Sequence, residues 1–194
     1  MNRVNRFVRC AVVALVAFAS TTALADVAEV PKEKQTTLGL YLTAQEAYDA
    51  WMADPESIKV LDVRSPDEYL FVGHTEMAMN IPFMVQTFAW DDAKKHFPMK
   101  PNPEFLAEVM KWAQPGDMIF VMCRSGTRSA RAVNALAGAG FKNVYNVIDG
   151  MEGDLVEDPA SPNHGKRLVN GWKNAGLPWT YEVDPANTRW PGGK

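Results

Sequence analysis

Cysteine is scarce in this sequence: Cys10 and Cys123 are the only two among 194 residues, so a domain stapled by several disulfides is excluded. A surplus of positive charge is also missing, since 20 Lys and Arg face 23 Asp and Glu. General binding to nucleic acid or to anionic membranes requires such a surplus, so the sequence excludes both kinds of binding. What is present is a hydrophobic fraction of 47% with 22% charged residues, which is typical of one globular domain.

The first 25 residues have the three parts of a secretory signal peptide. A start with three arginines and no acids precedes a ten-residue apolar run from Cys10 to Ala19, and the small-residue motif Ala23-Leu24-Ala25 follows. This run is too short to cross a bilayer, which takes about 20 apolar residues. The sequence predicts export to the periplasm, cleavage after Ala25 and no membrane attachment of the mature chain. That mature chain keeps one cysteine, Cys123, and 17 basic against 23 acidic residues.

Short β-branched runs alternate with amphipathic stretches along the mature chain. This alternation predicts an α/β domain whose parallel sheet is covered by helices on both faces. We expect the domain over residues 39–180, with a C-terminal helical extension from about residue 152, after a flexible leader at 26–38 and before a loose tail at 181–194. The predicted strands are 58–63, 80–82, 117–122 and 143–148, helices begin near 43, 66, 102 and 128, weak helical signals cover 91–97, and a last short helix covers 166–174.

The loop from Cys123 to Arg128 lies between the most strand-like run of the chain and a predicted helix start. Parallel sheets bind ligands beyond this end of their strands, and a helix N-terminus offers free N–H groups to an anion. Small residues in the middle of the loop allow its N–H groups to turn inward. The arginines at 124, 128 and 131 add positive charge to an otherwise acidic chain. The pattern predicts an anion site beside a thiolate-prone Cys123.

Five short motifs follow one another along the chain: Leu61-Asp62-Val63-Arg64, Glu68-Tyr69, Gly73-His74, Asn80-Ile81-Pro82 and the Cys123–Arg128 loop. With these motifs in this order, the chain resembles the rhodanese family of sulfurtransferases over roughly residues 43–146. The resemblance implies a rhodanese-like three-layer domain with a central parallel sheet flanked by helices. It also implies a cysteine that takes a sulfane sulfur from a small anion such as thiosulfate, becomes a persulfide, and passes the sulfur to cyanide, a cellular thiol or a protein acceptor.

The resemblance also assigns roles within this chain. Asp62 and Arg64 are expected to brace the loop as an ion pair, and His74 is expected to form structural hydrogen bonds. Met77 occupies a position where family members often have glycine, so the turn after His74 is expected to differ. No cofactor or metal is expected. The predicted site comprises Cys123 as nucleophile, Arg124, Ser125, Gly126, Thr127 and Arg128 as the substrate-binding loop, with Arg124 and Arg128 as donor-binding cations, and Asp62, Arg64 and Arg131 in support.

Two other functions remain open at this stage. Phosphatases and arsenate reductases of the same fold have arginine six positions after the cysteine, where this chain has Ser129. Here the arginine comes one position earlier, at Arg128, so the loop is of the shorter kind that suits a single sulfur. The second alternative is a carrier module that holds a persulfide on Cys123 for a partner protein without turnover.

Signal-peptide cleavage gives the first testable prediction. When the full chain is expressed in a bacterium, the periplasmic protein should begin at Asp26 and contain 169 residues, which N-terminal sequencing and intact mass will measure. An Ala25→Asp variant should remain uncut, because the cleavage site requires small residues. Recovery of wild-type protein with an intact N-terminus would contradict the prediction.

Overall fold

The computed structural model describes residues 30–192, so the signal peptide and cleavage site predicted at 1–25 lie outside the described residues. Within the described range, no helix is long and apolar enough to cross a membrane. The elements in chain order are β1 (Tyr41–Leu42), α1 (Ala44–Ala53), β2 (Ile58–Asp62), α2 (Pro66–Val72), β3 (Ala78–Asn80), β4 (Met84–Gln86), β5 (Met99–Pro101), α3 (Phe105–Trp112), β6 (Met118–Met122), α4 (Thr127–Gly138) and β7 (Val144–Val147).

Five strands form a parallel sheet in the order β1-β7-β6-β2-β3, and β4 and β5 form a separate antiparallel hairpin. Side chains alternate across strand β6, because successive residues of a strand point to opposite faces. Ile119 and Val121 pack with residues of α3 and α4, whereas Phe120 and Met122 pack with α1. The predicted α/β fold, with a parallel sheet between layers of helices, is confirmed.

The helix starts follow local capping signals in the sequence. Thr43 and Glu46 form a capping box at α1, in which each side chain bonds the other residue's backbone N–H. Ser65 and Glu68 do the same at α2, where Pro66 occupies the first turn. Glu68 is therefore held at the start of α2 before any longer-range contact is considered.

The N-terminal segment is not a flexible leader where the structure describes it. Val30 is buried, residues 32–34 form a 3₁₀ turn, and the Lys34 ammonium lies 2.7 Å from the Asp154 carboxylate. The Asn146 side-chain amide also donates to the Lys34 carbonyl, at 2.9 Å. The prediction was wrong for residues 30–38, because the partners of Lys34 lie more than 100 positions away in sequence, where a local pattern carries no signal.

The C-terminal extension is part of the core. The helix predicted over 166–174 is absent: the segment forms turns, with Gly171 at a positive φ and packed against Gly153. Trp172 is only 1% exposed, packs edge-on against Tyr48, and donates its indole N–H to the Pro178 carbonyl at 2.8 Å. Trp172, one of the apolar residues that suggested an amphipathic helix, is therefore buried in the core of the domain.

Two further expectations differ from the structure. The described part of the predicted loose tail is attached to β3, because the Trp190 indole N–H and the Arg189 backbone N–H both bond Asn80, at 2.5 and 2.9 Å. The segment 91–97, with its weak helical signals, forms turns between β4 and β5. The tail is held by contacts with a strand that is distant in sequence. The segment 91–97 forms turns because the two short strands that flank it pair with each other.

The burial of Trp172 predicts a large loss of stability on truncation. Trp172→Ala should lower the free energy of unfolding by roughly 3–5 kcal/mol, because it removes a large side chain from a closed core. The matched control is Val169→Ala, three residues away and 59% exposed, which should change stability by less than about 0.5 kcal/mol. Urea denaturation measures both. Equal, small effects of the two substitutions would show that the extension does not stabilise the domain.

Candidate active site

Cys123 follows directly after β6 and lies near the centre of the carboxyl edge of the sheet. The register pairs Met122 with Asp62 of β2, and α4 begins four residues after the cysteine. The Gly126 N–H donates to the Cys123 Sγ at 3.2 Å, and the Ser129 Oγ lies 3.4 Å from it. The residue is only 2% exposed and is the free cysteine of the described chain. The predicted position of the cysteine, between strand and helix start, matches the structure.

Backbone packing determines which way the loop faces. The carbonyls of Cys123 and Arg124 accept hydrogen bonds from the N–H groups of Met151 and Glu152, at 2.8 and 2.9 Å. A planar trans peptide points its N–H away from its carbonyl, so the N–H groups of Arg124 and Ser125 point away from that segment. Within residues 30–192 neither of these N–H groups has an acceptor. They are available to an anion, as predicted.

Gly126 must be glycine in this loop. Its φ is +92°, and a Cβ atom there would lie 2.1 Å from the Ile148 carbonyl oxygen. No side chain fits such a contact, and the positive φ would strain any other residue. The glycine thus allows the loop to press against the chain that leaves β7, and it aims its own N–H at the sulfur.

Arg128 is paired with a carboxylate, in contrast to its expected role as a free donor-binding cation. Its guanidinium donates two hydrogen bonds to the Glu68 carboxylate, at 2.6 and 2.7 Å. Burial alone would raise the pKa of Glu68, but the hydrogen bonds and positive charge of Arg128 outweigh burial and lower this pKa to about 2. At neutral pH the pair is ionised and carries no net charge. Arg128 therefore holds the start of α4 against α2 rather than offering a free cation.

Asp62 and Arg64 form the expected ion pair, with both side chains fully buried. Burial alone would lower the pKa of Arg64, but the adjacent Asp62 carboxylate raises it. The Arg64 guanidinium also donates to the Gly73 carbonyl at 2.9 Å, so the pair braces the end of α2. His74 stacks on Tyr69 at 3.7 Å between ring centroids, with its ring nitrogens 3.2 Å from two backbone carbonyls.

A cleft of about 660 Å³ opens above Cys123. The cysteine loop forms its floor, the β4–β5 hairpin forms one wall, and Arg167 of the C-terminal extension contributes from another side. Arg131 lies on the hairpin side, where its guanidinium is 5.7 Å from the centre of the Phe83 ring and donates to the Met84 sulfur at 3.6 Å. Arg124 and Lys94 also line the cleft. The positive charge predicted for the site is present, although part of it comes from other residues.

Several cleft residues were missed from the sequence. Lys94, His96 and Met99 come from the hairpin, and Arg167 comes from the extension, 44 positions after the cysteine in the sequence. No short motif links these positions to the loop, so only the tertiary structure could identify them. Among residues 30–192, no group of three or more His, Cys, Asp or Glu side chains lies close enough together to hold a metal ion.

More than half of the chain is similar to a known protein family. The family model described as "Rhodanese-like domain" matches residues 43–155. The chain is 42% identical over 92 residues to "Thiosulfate sulfurtransferase 18" of Arabidopsis thaliana, a match that covers 46% of this chain and 61% of that protein. It is 32% identical over 142 residues to an uncharacterized protein of Rickettsia conorii, with 72% of this chain and 96% of that protein covered.

A solved structure supports the same fold. The crystal structure of Rv0390 from M. tuberculosis matches with a TM-score of 0.57 at 28% identity, over 73% of this chain and 96% of that one. The coverage of the curated relatives is uneven: the chain spans about three fifths of the length of the plant sulfurtransferase and nearly all of the rickettsial protein.

The low pKa of Glu68 predicts an acid-sensitive contribution to stability. Its ordinary pKa is 4.5 and its pKa in the fold is about 2, so the unfolded chain binds the proton more tightly. The contribution is complete above pH 4.5 and is lost as the pH falls towards 2, amounting to at most about 3 kcal/mol. Glu68→Gln should flatten the unfolding free energy across this window.

Urea unfolding at several pH values between 2 and 7 measures this effect. Glu56→Gln, a substitution at an exposed glutamate, is the matched control and should keep the wild-type slope. If Glu68→Gln and wild type lose stability in parallel below pH 4.5, the proposed coupling between Glu68 and Arg128 is wrong.

Proposed function

The chain belongs to the rhodanese-like domain family, and we propose that it is a thiosulfate sulfurtransferase that carries the transferred sulfur as a persulfide on Cys123. Sulfurtransferase activity is supported at the level of the family, with a named plant relative at 42% identity. The observation that carries the finer proposal is the position of Cys123. Its sulfur accepts an N–H from its own loop at the floor of a cleft lined by cations.

In the first half of the reaction, the Cys123 thiolate attacks the outer sulfur of thiosulfate. A sulfur–sulfur bond forms to Cys123, the sulfur–sulfur bond within thiosulfate breaks, and its electron pair leaves with sulfite. The product is a persulfide anion on the cysteine. The N–H groups of Arg124 and Ser125, which lack protein acceptors in the described chain, are suited to stabilise that anion.

In the second half, cyanide or a thiolate attacks the outer sulfur of the persulfide. The bond to the Cys123 sulfur breaks, and its electron pair restores the thiolate. Cyanide leaves as thiocyanate, and a thiolate leaves as a new persulfide, whether it belongs to a small molecule or to a protein. Electrons move in pairs within these bonds, so neither half consumes an oxidant or a reductant.

The loop favours sulfur transfer over phosphate chemistry. A phosphate or arsenate site needs an arginine whose guanidinium is free to bind the oxygens of the substrate. In this chain the nearest candidate, Arg128, donates from both of its Nη nitrogens to the Glu68 carboxylate, which neutralises its charge. Arg128 is also the fifth residue after Cys123, whereas the arginine of the phosphatases is the sixth. We therefore rank phosphatase and arsenate reductase activity below sulfur transfer.

We further propose that the reaction takes place in the periplasm. The signal-like N-terminus and the single cysteine of the mature chain support this location. An unpaired cysteine in an oxidising compartment needs protection from other thiols. The 2% exposure of Cys123 offers that protection.

The proposal is tested by supplying the mature protein with thiosulfate and cyanide and measuring sulfite and thiocyanate release. Cys123→Ser should reduce turnover by about a thousandfold or more. After thiosulfate alone, the wild-type mass should rise by about 32 Da, one sulfur atom, and the variant should show no change.

Two results would replace this function. A stable added sulfur without turnover would favour the carrier alternative, in which Cys123 holds sulfur for one partner protein. Neither mass gain nor turnover would contradict both sulfur roles, and phosphate esters and arsenate would then be the next substrates to assay.

A further inference from the structure

The cleft above Cys123 has fewer free positive charges in its own loop than the sequence suggests. Of the two arginines in the loop, Arg128 is neutralised by Glu68. Arg124 alone remains, and within residues 30–192 it has no ionic partner. A small dianion such as thiosulfate carries two negative charges, so a second cation close to Arg124 would complete the charge balance.

Arg167 is the residue that lies in that place. It lines the cleft together with Arg124, Ser125 and Thr127, and it also lines the adjoining pocket that Ser125 and Thr127 share. It therefore lies on the side of the cleft that adjoins this second pocket, which no residue of the β4–β5 hairpin lines. Within the described residues, it has no carboxylate partner.

The backbone holds Arg167 in register with the cysteine loop. One guanidinium nitrogen of Arg167 donates to the Gly153 carbonyl at 2.6 Å. Gly153 in turn donates its N–H to the carbonyl of Arg124, at 3.3 Å, and a bridge between Leu155 and Arg167 fixes the segment that carries the side chain. A short chain of hydrogen bonds thus connects the two arginines, and within residues 30–192 the other guanidinium nitrogens of Arg167 donate no hydrogen bond.

Electrostatics agree with this geometry. Partial burial and the positive charge of Arg124 lower the pKa of Arg167, while the negative charges of Glu152 and Asp154 act in the opposite direction. The repulsion between the two guanidinium groups is unfavourable when no anion lies between them. A bound anion between them converts that repulsion into two attractive contacts.

We propose that Arg167 and Arg124 together bind the anionic end of the sulfur donor above Cys123. The inference rests on the proposed function and adds a substrate-binding residue from beyond residue 155, where the family match ends. It also states the class of donor: a compact dianion whose charged oxygens contact the two arginines while its outer sulfur reaches the thiolate. Neutral donors would gain nothing from this arrangement.

The first test measures the local charge at Cys123 without relying on sulfur transfer. Iodoacetate and iodoacetamide are similar in size and alkylate the same thiolate, but only iodoacetate is an anion. The ratio of their rates at Cys123 therefore cancels differences in thiolate fraction and access. Arg167→Gln should lower this ratio about fivefold, because it removes a positive charge beside the sulfur.

The matched control is Lys166→Gln, which removes the same charge one residue away. Lys166 contacts the Asn163 side chain and does not line the cleft, so the wild-type ratio should persist. Equal ratios in wild type and Arg167→Gln would overturn the proposal. Failure of both reagents to label wild-type Cys123 would also overturn it, since an anion could not then reach the thiol through the cleft.

The second test uses turnover. Arg167→Gln should raise KM for thiosulfate about tenfold and KM for cyanide by much less, because cyanide carries a single charge and has no oxygens for the two arginines to bind. An unchanged thiosulfate KM would contradict the proposal. The two tests also separate the two proposals: if wild type forms no persulfide but Arg167→Gln still lowers the alkylation ratio, the anion site stands and thiosulfate transfer fails.

Discussion

Backbone contact between the cysteine loop and the chain leaving β7 is the constraint on which the site depends. Gly126 lies so close to the Ile148 carbonyl that no side chain fits between them. Gly150 is pressed against the backbone of Cys123 to Ser125 in the same way, and Met151 bonds the cysteine carbonyl. These contacts turn the loop carbonyls to one side and leave the N–H groups of Arg124 and Ser125 without an acceptor among residues 30–192. They also join the loop to the extension, which begins at this turn and leads to Arg167.

Charge in this protein is arranged locally against an acidic background. Two arginines near the site form ion pairs and therefore offer no free charge. Asp62 neutralises Arg64, and Glu68 neutralises Arg128. Buried pairs of this kind hold elements in a defined orientation and add no net charge to the cleft. The free positive charge comes from residues that the fold assembles from separate segments. An anionic donor can therefore be attracted to one point on a protein that carries more acids than bases.

Local patterns predicted the elements that depend on local physics. The helix starts near residues 43 and 66, the strand-like run of β6 and the strand-loop-helix around Cys123 all depend on residues a few positions apart, and all are present as predicted. Within the described residues, the flexible leader, the loose tail and the helix at 166–174 were wrong. The structure of these segments depends on contacts with β7, with β3 and with the core that surrounds Trp172, all far away in sequence.

Residue types and their spacing were enough to predict the α/β class, the position of the cysteine at the end of a buried strand and the resemblance to sulfurtransferases. Each of these follows from residues at short spacing, where periodicity, capping and motif order are visible. Which arginines are free depends on the tertiary structure. Arg128 is not free, because Glu68, 60 positions earlier in the sequence, pairs with it. The fold of the extension brings Arg167 to the cleft. Ion pairing depends on distance in space, and spacing along the chain does not reveal it.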